Sequence, residues 1–300
     1  MNKNPILGAL LLIISAFYVL IITSKNYVLL DLVYALGLCC LSIISTGGTA
    51  FIMFKARDRE RIGWCAWVSL FARSQVLSTF MPGVGVLYRA NVLKKDSGVS
   101  LASSTAAFLR ALSITVICFA LMAASMYWKH LLEYKGITIL FIGFLTSGVV
   151  LILIPKWDLL SLVKNTFIEN KLIEHTESFN TRTFSAGNLS IFISLFMVSA
   201  ITISAAYLFL VRGAHSTQIS VFDSLNIFVA MKALSFAPSF IPANFGLQEF
   251  ILIGIDRLAN IGISDIITFS LMIRLMNFLA NLFIVMICQL ILVLSSEQKK

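Results

Sequence analysis

The sequence predicts an all-α integral membrane protein with about six transmembrane helices and two re-entrant helical hairpins in an inverted repeat. Three observations carry that expectation. The 300 residues are 59% hydrophobic and only 12% charged, a composition no ordinary soluble domain shows. Apolar runs near 5–22, 28–54, 101–127, 137–154, 187–211 and 266–294 are each long enough to cross a hydrocarbon core of about 30 Å. Two further apolar stretches, 64–86 and 219–261, are interrupted by proline and glycine where a spanning helix would run on. Proline removes a backbone donor and clashes with the preceding turn. Within a bilayer, broken backbone survives only where protein or a water-filled cavity satisfies the freed groups.

Taken in order, the run 5–22 has one lysine before it, and no small-residue cleavage pattern precedes the next run. It therefore reads as a helix rather than a signal peptide. The run 28–54 carries Gly47-Gly48, suited to close helix packing. The loop Lys55-Ala-Arg-Asp-Arg-Glu-Arg61 has four basic residues in seven, which places it, and with it the N-terminus, in the cytoplasm. If 64–86 crossed fully, Arg89, Lys94 and Lys95 would face outward, against the positive-inside bias. A hairpin that dips in from the cytoplasm and returns near Arg89 removes the conflict.

The run 101–127 carries Arg110 about 14 Å along its axis, near the bilayer midplane. Trp128 and Tyr134 form a belt on the far side, and 137–154 returns and stops at Pro155. In 156–186, Trp157, Leu160, Val163, Phe167 and Leu172 recur at near-helical spacing among Lys156, Lys164 and Lys171. Two readings stand there: an amphipathic helix on the cytoplasmic surface, or a plain linker between halves. The run 187–211 goes out again, and 219–261 repeats the hairpin from the outer side with its break over 238–246. The run 266–294 crosses inward and ends in Lys299-Lys300, so both termini are expected in the cytoplasm.

The two breaks match each other. Phe80-Met-Pro82-Gly-Val-Gly85 precedes Arg89, and Phe240-Ile-Pro242-Ala-Asn-Phe-Gly246 precedes Glu249, with the charged residue seven positions after the proline in both. Downstream, Gly98-Val-Ser100 leads to Arg110 and Gly262-Ile-Ser264 to Arg274, each ten residues after the serine. Arg73 and Lys232 stand nine and ten residues before their prolines. This order reads as an internal duplication within a single membrane domain: repeat one at about 28–127, a linker at about 155–186 and repeat two at about 187–294. Three crossings separate the copies, which makes them inverted. The charges agree, at net +2 over 87–100 and net −2 over 247–265. Repeats joined at broken helices are a recurring transporter plan.

The formal charge of +9 would suggest nucleic acid in a soluble protein; here it reports cytoplasmic loops, and no nucleic-acid partner is expected. The five cysteines lie in apolar runs without metal-type spacing, and His130, His175 and His215 fall far apart in loops. Neither a metal site nor a cofactor site is expected, and no Ser/His/Asp arrangement or phosphate-binding glycine loop is visible.

Arg110 and Arg274 are the sharpest candidates, because an arginine at a helix centre costs roughly 2.5–3.5 kcal/mol on insertion scales. They either bind lipid phosphate through paired, charge-assisted hydrogen bonds or staple the repeats, for example Arg110 with Glu249. Glu249 can pair an arginine or change protonation. Arg89 is either its cross-repeat partner or an interfacial, solvated side chain. Arg73 and Lys232 extend a cationic path, with snorkelling the competing view of Lys232. Pro82, Gly85, Pro242 and Gly246 shape the hairpin tips, and Asn244 adds a polar contact there.

Pro242-Ala-Asn-Phe-Gly246-Leu-Gln-Glu249, followed by Gly262-Ile-Ser264 and Arg274, resembles the P-x-G-G-x-G-x-x-E…G…R signature of the lysylphosphatidylglycerol synthase transmembrane (flippase-like) family. Pro82-Gly-Val-Gly85 and Arg89-Ala-Asn-Val-Leu93 resemble its first block, and the likeness covers most of 30–294. Asn244 and Phe245 depart from the glycines usual there. The full synthases carry a soluble aminoacyltransferase domain. This chain ends six residues after its last apolar run, so lysyl transfer from tRNA is not expected.

The resemblance implies flipping or transport of an anionic phospholipid or polyprenyl-linked glycan intermediate, in a multi-pass protein of the bacterial inner (plasma) membrane serving cell-envelope biogenesis. The partners implied are membrane lipids, with an enzyme partner or a homo-oligomer also open. The alternatives are a membrane-embedded transferase and an accessory subunit that presents lipid to a glycolipid enzyme.

Overall fold

The computed structural model describes residues 29–80, 83–133, 186–214, 221–236 and 263–297. All regular structure among them is helical: α1 (Leu29–Ile52), α2 (Ala56–Ile62), α3 (Trp64–Phe80), α4 (Val84–Ser97), α5 (Leu101–Glu133), α6 (Ala186–Ala214), α7 (Val221–Phe236) and α8 (Ile263–Glu297). Among the described residues, four stretches are long and apolar enough to cross a membrane: Leu29–Ile52, Ser103–Ser125, Gly187–Val211 and Thr268–Ser295. They correspond to the apolar runs expected at 28–54, 101–127, 187–211 and 266–294. The runs at 5–22 and 137–154, the 156–186 segment and the second break at 238–246 lie outside the described residues. Large apolar side chains such as Leu30 and Val33 on α1, and Met286 and Leu290 on α8, are exposed. On spanning helices such a surface is what lipid covers.

The stretch expected as a hairpin is one. Helices α3 and α4 pack against each other. At 17 and 14 residues they are about 25 and 21 Å long, so each limb falls short of a hydrocarbon core of about 30 Å. The second limb runs on past Arg89 to Ser97, further than expected. The basic loop at 55–61, expected as irregular chain, forms the short helix α2. Its C-cap Gly63 sits at φ 71° and donates to the Arg59 carbonyl.

The Gly98-Val-Ser100 motif proves to be helix punctuation. Gly98, at φ 64°, takes the left-handed conformation that stops α4, and Val99 N–H donates to Leu93 O at 3.2 Å. That is a left-handed glycine cap, with both Leu93 and Val99 buried. Ser100 then starts α5, its Oγ accepting from Ser103 N–H at 3.1 Å. The Ser103 hydroxyl donates to Asp58 Oδ2 at 2.6 Å, tying α2 to the start of α5.

The chain divides into two compact units, with boundaries at 42/43, 199/200 and 283/284. In the first, Ala35, Cys39, Ala206 and Ala280 are buried, small residues of the kind that let membrane helices approach closely. Tyr34 meets Phe209 at 5.5 Å between ring centroids, Tyr207 meets Phe269 edge-on at 6.5 Å, and the Cys40 thiol donates to Ala280 O at 3.8 Å.

The second unit centres on Trp67, 1% exposed. Its indole N–H donates to Gly47 O at 2.8 Å, and its ring meets those of Phe51, Phe54 and Phe71. Gly47 and Gly48 permit this packing. A Cβ on Gly47 would lie 3.2 Å from the Phe71 ring, and one on Gly48 would lie 3.0 Å from Leu195. The Thr46 and Ser199 hydroxyls share a hydrogen bond of 2.8 Å in the same unit.

Gly85, expected at the hairpin tip, instead sits inside the first turn of α4, where that helix meets α3. A Cβ there would strike the Ser74 carbonyl oxygen and the Ser78 hydroxyl, so the limbs can touch only without a side chain. Gly85→Ala is expected to destabilise the protein by about 1–3 kcal/mol through overpacking. Chemical unfolding in detergent micelles checks this: an unchanged midpoint would show that the limbs separate freely.

Candidate functional site

The buried residues of α4 are Gly85, Arg89 and Leu93, four apart and therefore on one face. With Gly85 against α3, the same face carries Arg89 inward. Trp67 and Phe71, also four apart, receive it. The guanidinium carbon lies 5.5 Å from the Trp67 ring centroid, 5.3 Å from Phe71 and 5.8 Å from Phe108 of α5. Arg89 is 7% exposed, so its side chain is packed within the protein; its expected pairing with Glu249 lies outside the described residues.

Aromatic faces attract a cation by roughly 2 kcal/mol or more once it is desolvated. They offset part of the cost of burying the charge but accept none of its N–H groups in the plane of the guanidinium. Outside the four spans, burial alone lowers the Arg89 pKa to about 10, which leaves the side chain charged at neutral pH. A cavity of about 60 Å³ opens beside it. Arg89 and Ala90 line it from α4, Ser104, Thr105 and Phe108 from α5, and Trp67 and Phe54 close it.

Arg110 is buried on α5 and reaches back to α1. Its Nη1 donates a long hydrogen bond of 3.5 Å to Met53 O, one residue past the end of α1. A cation at a helix C-terminus meets the negative end of the helix dipole and an otherwise orphaned carbonyl. The contact gives Arg110 a structural task within its own repeat. Its expected pairing with Glu249 lies outside the described residues.

Arg73 is half-buried on α3. Arg274 is half-buried on α8, in the first unit. Lys232 lies on α7, and Asn244, Glu249, Pro82, Pro242 and Gly246 fall outside the described residues. The structure thus builds one cluster from the expected set, around Arg89. The residues that complete it, Trp67, Phe71, Ser104, Thr105 and Phe108, were not singled out from the sequence. Their signal is present as the spacings of four in Trp67/Phe71 and Ser104/Phe108. Aromatic pairs at that spacing are so common in membrane helices that the pattern does not point to a site by itself.

A family model described as "Lysylphosphatidylglycerol synthase TM region" matches residues 6–284. No curated protein and no solved structure matches the chain.

Trp67 both walls the cavity and anchors it to α1. Trp67→Phe keeps a ring but loses the bond to Gly47 O, and is expected to cost about 1 kcal/mol. Trp67→Ala is expected to cost about 3–5 kcal/mol. Unfolding midpoints of the two variants in detergent measure the difference; equal midpoints would remove Trp67 from the centre of the unit.

Proposed function

The chain belongs to the lysylphosphatidylglycerol synthase transmembrane family, and from that premise we propose that it moves an anionic phospholipid or a lipid-linked glycan intermediate between membrane leaflets. Membership places it among multi-pass membrane proteins of lipid and cell-envelope processes. The transport step itself is our inference, as are a bacterial inner-membrane location and cytoplasmic termini.

The observation that carries it is a charged Arg89 kept 7% exposed in an apolar helical protein, lining a cavity. Evolutionary retention need not be invoked, because the physics is sufficient: a buried charge is expensive unless an anion compensates it. A lipid phosphate crossing the membrane is such an anion. Guanidinium groups hold phosphate by paired, charge-assisted hydrogen bonds while the acyl chains stay in lipid.

In this reading Arg73, Arg89 and Arg110 serve the head group in the first repeat, and Lys232, Asn244, Glu249 and Arg274 are their counterparts in the second. Pro82, Pro242 and Gly246 let backbone depart from helix near the polar path, while Gly85 lets α4 close on α3. Glu249 pairs an arginine or changes protonation as the phosphate passes.

Leaflet exchange in proteoliposomes containing anionic phospholipid tests the proposal. Wild type is expected to expose labelled head groups on the opposite leaflet, and Arg110→Ala and Glu249→Ala are each expected to slow this at least about tenfold, the scale of one lost charge-assisted pair. Arg110→Lys, which can still donate to Met53 O, controls for folding. A well-folded wild type that exchanges no lipid overturns the proposal.

A further inference from the structure

We propose that the Arg89 cavity is a binding site for a single phosphate group, with the aromatic cage holding the guanidinium so that its N–H edge serves the ligand. This deepens the transport reading and rests on it only for the expectation that the phosphate belongs to a lipid.

Four features of the second unit converge on this. Arg89 is a buried cation, and among the described residues no carboxylate, carbonyl or hydroxyl accepts a hydrogen bond from it; its contacts are the three rings. Buried N–H donors are ordinarily matched by an acceptor; the described residues supply none, and in this proposal a bound oxyanion does. Second, the cavity beside it is about 60 Å³, the room of about two waters. That is room enough for one compact oxyanion.

Third, Ser104 and Thr105 line the cavity, and among the described residues no acidic one does. Fourth, Ser104 and Thr105 lie near the start of α5, which begins at Leu101, on the side of the positive end of that helix. A guanidinium beside hydroxyl-bearing residues favours phosphate, whose several oxygens accept from more than one donor. A carboxylate would use fewer of them.

The cage explains why the site is aromatic. Rings hold the cation without neutralising it, whereas a carboxylate partner would consume the charge that the ligand needs.

The test uses the purified full-length chain in detergent. Inorganic phosphate is titrated against chloride at matched ionic strength, and a short-chain phosphatidic acid against the matching diacylglycerol, with thermal stabilisation and equilibrium binding as readouts. Wild type is expected to bind phosphatidic acid and not diacylglycerol, and Arg89→Met to bind it about tenfold or more weakly. Saturable binding of inorganic phosphate with equal strength also supports the site and makes free phosphate its ligand.

Absence of both by folded wild type overturns the proposal, as does equal binding by Arg89→Met; either leaves Arg89 as a packing cation alone. If Arg89→Met does not fold, Arg89→Lys keeps the charge but loses the paired donors. It too is expected to weaken binding about tenfold, and unweakened binding by it overturns the proposal. Leaflet exchange on the same preparations separates the two ideas. Phosphate binding without exchange sinks transport and keeps the site; exchange without phosphate binding sinks the site alone.

Discussion

Gly85 brings the α4 backbone against the Ser74 carbonyl, and much of the second unit follows from that approach. A helix held so closely at one residue presents its i+4 neighbours to the same partner. Arg89 is therefore driven against Trp67 and Phe71 rather than out to water, and Leu93, one turn further, is 1% exposed. The charge is buried because the glycine is small. No feature of Arg89 itself demands that position.

The burial is tolerable because each neighbour is held in place. Trp67 is oriented by its hydrogen bond to Gly47 O, and Gly47 can approach because it too has no side chain. Ser104 and Phe108 project from α5 at positions set by the Ser100 cap and the Asp58–Ser103 hydrogen bond. Small residues thus bring helices together, caps set where they start, and aromatic rings fill what remains. In a membrane, where lipid is as apolar as the core, close packing and satisfied polar groups do most of the holding.

The two buried arginines of this unit solve the same problem differently. Arg110 has a backbone acceptor at the end of α1, a contact that joins α5 to the chain just before the basic loop. Arg89 has aromatic faces and a cavity. The first arrangement gives one donor a backbone partner, whereas the second sets the cation against rings. Arg110 reads from sequence as a cation within an apolar run and Arg89 as one just past a break, but neither position names the groups that surround it.

Amino-acid sequence alone determined the class of this protein: membrane helices, a proline–glycine break at 82–85 with a helical limb on each side, and a family signature. Those features are local. Run length, a φ that only glycine readily adopts and the charge of a loop are properties of neighbouring residues, so they can be read along the chain. Gly98-Val-Ser100 was visible as a motif, but its work as a helix stop followed by a helix cap became plain only from its hydrogen bonds. Tertiary structure decided which charge is buried and what surrounds it. The Arg89 cage joins residues of α3, α4 and α5, while Arg110 reaches a carbonyl 57 positions away in the chain. Which faces meet is set by where backbones can touch, and that depends on three-dimensional packing rather than on any pattern within one helix.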